Sequence, residues 1–141
     1  MAETKNSAGI RVLVVDDDED YCRSMRRILR VWGYDPRVAA GGQEALELCE
    51  VQMPVVVLID VMMPGMDGWQ LSKKLIRLPE PPVMILISGS FKTEDVHPDA
   101  AVLATLPKPV NTELLHELIE RAISRSEGPP APNEGGSPAS P

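Results

Sequence analysis

Short apolar runs alternate along the chain with amphipathic stretches, and most of the runs stop at a polar residue. Ile10-Arg11-Val12-Leu13-Val14-Val15, Val55-Val56-Val57-Leu58-Ile59 and Val83-Met84-Ile85-Leu86-Ile87 are almost wholly apolar and rich in β-branched side chains. Such runs read as strands buried on both faces, as in a parallel sheet. Residues 36–40 and 101–106 are two further strand candidates. Between them lie helical patterns. Met25, Ile28, Leu29 and Trp32 form one stripe over 21–32, with Gly33 as a stop signal. Ala45, Leu46 and Leu48 give an apolar face to 41–51. Leu71, Leu75 and Ile76 do so over 69–78, after the turn chemistry of Pro64-Gly65-Met66-Asp67-Gly68 and before Pro79, Pro81 and Pro82. Asn111 is placed to cap a last helix carrying Leu114, Leu115, Leu118, Ile119 and Ala122. A helix candidate at 93–101 is broken by Pro98. Five βα units predict an α/β fold, a doubly wound five-stranded parallel sheet covered by helices on both faces.

The pattern also sets the expected boundaries. Residues 1–9 are expected to be a disordered lead, 10–126 the folded domain, and 127–141 a disordered tail of Pro, Gly, Ser and Ala. At 141 residues the chain is one domain's worth. A net charge of -7 with no basic stripe argues against direct nucleic-acid binding and against docking on an anionic membrane. No apolar stretch reaches a membrane span, and the polar start is unlike a signal peptide. Cys22 and Cys49 form no CxxC motif and read as free thiols of a reducing cytoplasm.

The chemistry lies at the strand ends. Asp16 and Asp17 follow the first run, Asp60 ends the third, Ser88 ends the fourth, and Lys108 comes just after the fifth. In a doubly wound sheet these positions share one edge, where open α/β folds bind their ligands. Three converging carboxylates repel one another, which raises pKa values or recruits a cation. Oxygen ligands with open positions suit Mg2+. Lys108 supplies a compact positive charge, Ser88 a hydroxyl donor, and a carboxylate can itself act as a nucleophile toward phosphorus. One reaction uses all of them: phosphoryl transfer onto Asp60.

These residues resemble the receiver domain of bacterial response regulators, the CheY-like family of two-component signalling. The resemblance rests on Val14-Val15-Asp16-Asp17-Asp18, on Leu58-Ile59-Asp60-Val61-Met62-Met63-Pro64-Gly65-Met66-Asp67-Gly68, on Ser88 and on Lys108-Pro109. Gly41-Gly42-Gln43-Glu44-Ala45-Leu46 matches the start of the family's second helix. It implies a flavodoxin-like sheet of strand order 2-1-3-4-5. It also implies Asp60 as phosphoacceptor and Mg2+ ligation by Asp17 and Asp60 with the backbone carbonyl of Met62, Asp16 acting through a metal-bound water. Ser88 and Lys108 would contact the phosphoryl group, and the bond before Pro109 would be cis. The expected partners are a histidine kinase or phosphotransfer protein and a downstream protein target. On this reading the chain is a cytoplasmic signalling switch and not a metabolic enzyme. By the same analogy Cys22 and Met25, on the first helix near the pocket, bear on kinase choice.

Plainer readings stand beside these. Asp16 and Asp17 alone could cap the first helix, and Asp18 belongs to that helix start. Asp67 before Gly68 reads as a turn or cap residue. His97 and His116 read as surface residues, and Trp32 and Trp69 as packing residues. Three departures from the family pattern carry expectations of their own. Thr105 stands where an aromatic switch residue is usual, and the helix between the fourth and fifth strands is expected to be shortened or irregular. Met62 and Ser90 stand where an amide or acid would orient an attacking water, so self-dephosphorylation is expected to be slow. The alternatives are a receiver cut from a hybrid kinase or larger regulator, a pseudo-receiver that only binds a partner, and an aspartate-nucleophile Mg2+-dependent phosphatase. The phosphatases usually carry a second acid where this chain has Met62.

Overall fold

The computed structural model describes residues 9–89 and 101–127. The expected lead, the broken helix candidate and the tail lie outside the described residues, apart from Gly9, Ala101 and Glu127. Five strands, β1 (Arg11–Val15), β2 (Asp35–Ala39), β3 (Val56–Asp60), β4 (Val83–Ser88) and β5 (Val102–Pro107), form one sheet in the order β2-β1-β3-β4-β5. Every neighbouring pair is parallel. Four helices are described: α1 (Glu19–Val31), α2 (Gly42–Val51), α3 (Gly68–Ile76) and α4 (Thr112–Glu127). The expected fold class and strand order are those observed.

Period-two alternation divides the core into two layers. Val12, Val14, Val56, Leu58, Ile85 and Ile87 face one side, where Met25 and Leu29 of α1 and Leu115, Ile119 and Ala122 of α4 cover them. Leu13, Val15, Val57, Ile59, Met84 and Leu86 face the other, against Ala45 and Cys49 of α2 and Leu71 and Leu75 of α3. Burial on both faces explains why these strands show no polar alternation in sequence. Each fully buried leucine contributes roughly 2 kcal/mol by transfer from water.

Local signals set the helix ends. Asp18 caps α1, its side chain accepting from the Tyr21 N–H at 3.2 Å. Gly33 ends that helix at φ 96°, a left-handed conformation, and its N–H donates to the Arg30 carbonyl. Asp67 caps α3 in a reciprocal box with Gln70, with bonds of 2.8 and 2.9 Å. Asn111 accepts from the Leu114 N–H at 3.0 Å at the start of α4. The cap reading of Asp67 therefore holds. His116 departs from expectation. It is half-buried and lies flat on Trp32, with ring centroids 4.0 Å apart and planes 7° apart, while Tyr34 meets it edge-on. A ring that can stack on an indole gains more from that contact than from water, so α4 turns His116 inward against the end of α1.

Candidate functional site

The strand order reverses direction between β1 and β3, and the crevice beyond their carboxyl ends is where such folds bind ligands. Asp16 leaves β1 at that point and Asp60 ends β3 beside it. Backbone bonds fix both. The Asp16 N–H donates to the Ala39 carbonyl at 3.1 Å, and the Val61 N–H donates to the Ile87 carbonyl at 2.8 Å. Asp60 pairs with Ile87 in the ladder, which places Ser88 of β4 at the same rim. The Lys108 N–H donates to the Ser88 carbonyl at 3.0 Å, so the segment after β5 is tied to β4 as it reaches the rim. The Lys108–Pro109 peptide is cis.

Carboxylate oxygens of Asp16, Asp17 and Asp60 all lie within 4.8 Å of one another. Asp16 and Asp60 are 2% and 5% exposed, whereas Asp17 is open to solvent. Two buried acids of like charge require compensation. Lys108 supplies part of it: its Nζ lies 3.2 Å from Asp16 Oδ2 and 3.6 Å from Asp60 Oδ1. Backbone donors supply more, the Asp18 N–H to Asp16 Oδ1 at 2.9 Å and the Met62 N–H to Asp60 Oδ1 at 3.3 Å. The balance still falls short. Burial, then the neighbouring Asp16, push the Asp60 carboxyl up to about 6, against the opposing pull of Lys108 and the Met62 N–H. Burial alone would lower Lys108, but the hydrogen bond and charge of Asp16, with the charge of Asp60, hold its ammonium above the ordinary range. One cation among three carboxylates leaves negative charge uncompensated, and the donors are all oxygens. That donor set fits a hard divalent cation such as Mg2+.

The loop after Asp60 is shaped by close approach. A Cβ on Gly68 would lie 2.6 Å from the Asp60 carbonyl oxygen and 2.7 Å from the Val61 Cα. Only glycine lets the start of α3 press against the end of β3 there. The Met62 side chain points outward, 62% exposed. Ser88 is 4% exposed. Asp16, Asp17, Asp60, Ser88 and Lys108 thus all come to one rim, as their places at strand ends require.

Other expectations meet mixed outcomes. Cys22 and Met25 are buried, so the solvent side of α1 near the pocket is presented by Arg23 and Arg26 instead. The Cys22 Sγ–H donates to the Asp16 carbonyl at 3.2 Å, and burial with the nearby acids pushes its thiol up to about 11, which suits a structural thiol. Both cysteines are free. Thr105 sits half-buried in β5, paired with Leu86. Ser90 lies outside the described residues. One residue at the rim went unread in the sequence: Tyr21, whose ring carries the Lys108 Nζ 4.7 Å above its centroid. Its only sequence signal is position, three residues beyond the Asp18 cap and so on the first turn of α1.

The family model described as the response regulator receiver domain matches residues 12–120. The chain belongs to the response regulator receiver domain family, which places it in two-component signalling. It is 37% identical over 128 residues to the response regulator MprA of Mycobacterium sp. (strain KMS), spanning 87% of this chain and 56% of that relative. It is 34% identical over 120 residues to the transcriptional regulatory protein ZraR of Salmonella typhimurium, spanning 83% of this chain and 27% of that one. The chain therefore spans about half the length, or less, of these curated relatives. Among solved structures it resembles a CheY-like response regulator receiver domain protein from Methanospirillum hungatei JF-1, with a TM-score of 0.78 and 31% identity over 86% of this chain and 98% of that one. The chemotaxis protein CheY4 of Vibrio cholerae gives a TM-score of 0.73 and 28% identity over 82% and 99%. Among the described residues no helix is long and apolar enough to cross a membrane.

Proposed function

We propose that this chain is a phosphorylatable switch whose Asp60 accepts a phosphoryl group from a phosphohistidine of a histidine kinase or phosphotransfer protein. The observation that carries the reading is the buried pair Asp16 and Asp60 bridged by Lys108, with Asp17 completing a set of three carboxylates. The Asp60 carboxylate attacks phosphorus and a P–O bond forms. The P–N bond of the donor breaks, its electrons return to the imidazole nitrogen, and that nitrogen takes up a proton. Asp17 and Asp60, the Met62 carbonyl, and Asp16 through water would hold Mg2+, and the ion would supply positive charge to offset that of the phosphoryl oxygens. Lys108 stands beside Asp60 and is positioned to pair with a phosphoryl oxygen. Ser88, at the end of the neighbouring strand, offers its hydroxyl to another.

Phosphorylation adds charge to a rim where charge is already poorly compensated, so the loops around it must rearrange. Signalling then proceeds through contact with a downstream protein, in the cytoplasm, and the chain is a signalling module rather than a metabolic enzyme. The test is incubation with Mg2+ and a small acyl phosphate, read by intact mass. Wild type should gain one phosphoryl group and Asp60→Asn none. No gain on wild type, or equal gain on both, overturns the proposal.

A further inference from the structure

The Lys108 ammonium has three close partners. Asp16 Oδ2 lies at 3.2 Å, Asp60 Oδ1 at 3.6 Å, and the Tyr21 ring lies beneath it with its centroid at 4.7 Å. Lysine is a flexible four-carbon stem, so a further contact on its ammonium restricts the positions it can take. The Tyr21 ring adds a third contact through its electron-rich face. Its hydroxyl contributes nothing visible to this: it is buried and has no hydrogen-bond partner among the described residues. Tyr21 reaches the rim because Asp18 caps α1 and accepts from the Tyr21 N–H, which fixes the first turn of the helix over the pocket.

We infer that Tyr21 is a positioning residue for phosphoryl transfer, its ring face holding Lys108 between Asp16 and Asp60 by a cation–π contact. The inference rests on the proposal that Asp60 is the acceptor. A contact of this kind at a partly desolvated site corresponds to a rate effect of about three- to tenfold when it is lost. Because the ring and not the hydroxyl makes the contact, Tyr21→Phe should keep the labelling rate and Tyr21→Leu should lower it by about three- to tenfold.

The experiment measures the rate of Asp60 labelling by a small acyl phosphate with saturating Mg2+. It compares wild type, Tyr21→Phe, Tyr21→Leu, and chains bearing mono-, di- and trifluorinated phenylalanine at position 21. Fluorination keeps the shape of the ring and drains its face of negative potential, so a merely structural ring would show no trend. The expected result is a Phe rate within about twofold of wild type, a stepwise fall across the fluorinated series, and a trifluoro rate near that of Leu. The order of the Lys108 Cε group, followed by 13C relaxation, should fall along the same series. A flat series in both measurements overturns the inference, as does a Phe variant as slow as Leu, which would assign the role to the hydroxyl. Failure of wild type to label at all overturns the acceptor reading itself. The relaxation series then still decides whether the ring holds Lys108.

Discussion

Replacing Asp60 by Asn should stabilise the metal-free protein, and by an amount that depends on pH. The Asp60 carboxyl ionises at about 6 in the fold against an ordinary value of 3.8. A folded-state value above the unfolded one means the folded chain holds that proton more tightly. The stabilising contribution of the proton is whole below pH 3.8 and is lost as pH rises through 6. Above that, ionised Asp60 is a cost to the fold. At about 1.4 kcal/mol per pH unit the cost reaches roughly 3 kcal/mol at pH 8, and the same linkage leaves roughly 1 kcal/mol at pH 4.5. Since Asp60 is only 5% exposed, solvent does little to reduce it. Asn matches the shape without the charge, so in EDTA the variant should exceed wild type by about these amounts in urea unfolding at the two pH values. Mg2+ should narrow the gap at pH 8, because a ligand at a hundred times its dissociation constant returns about 2.7 kcal/mol to a chain with its site intact. A variant less stable than wild type at pH 8, or a gap equal at both pH values, would refute the idea that Asp60 is strained by burial and by Asp16.

Three further outcomes follow from the same geometry. Lys108→Met leaves Asp16 and Asp60 buried side by side with no cation, so in EDTA at pH 8 it should lose about 2 kcal/mol, toward the low side for a broken buried pair because Lys108 is itself 29% exposed; unchanged urea midpoints would count against the bridge. Gly68→Ala forces a methyl group onto the Asp60 and Val61 backbone and should cost about 2 kcal/mol and slow labelling of Asp60. Normal stability together with a normal labelling rate would show that the contact yields easily. The phosphorylated protein, once separated from donor, should hold its phosphate far beyond seconds, because the exposed Met62 side chain offers no acid or amide to orient a water; loss within seconds, without an added phosphatase, would show that another group does so.

How much of this was legible in the sequence depends on which physical rule each residue obeys. Asp16, Asp60, Ser88 and Lys108 were legible because a parallel sheet sends every strand end to one rim, so order along the chain is enough to bring them together. Asp67 and Asn111 were legible as caps because a helix start needs a side-chain acceptor at a fixed offset. Tyr21 and His116 were not, since each depends on the rotation of one helix about its own axis against a distant element. A period of 3.6 gives the face of a helix only to within a residue, and that is the difference between a tyrosine in solvent and one under a lysine 87 positions away. Cys22 and Met25 were placed in the correct helix near the pocket but turn inward, by the same limit. The meeting of Asp60 and Lys108 at one rim is thus written in the topology. The contact of Lys108 with the Tyr21 ring is written in the packing of α1, and there the Tyr21 series tests the proposed role more sharply than any change to Asp60.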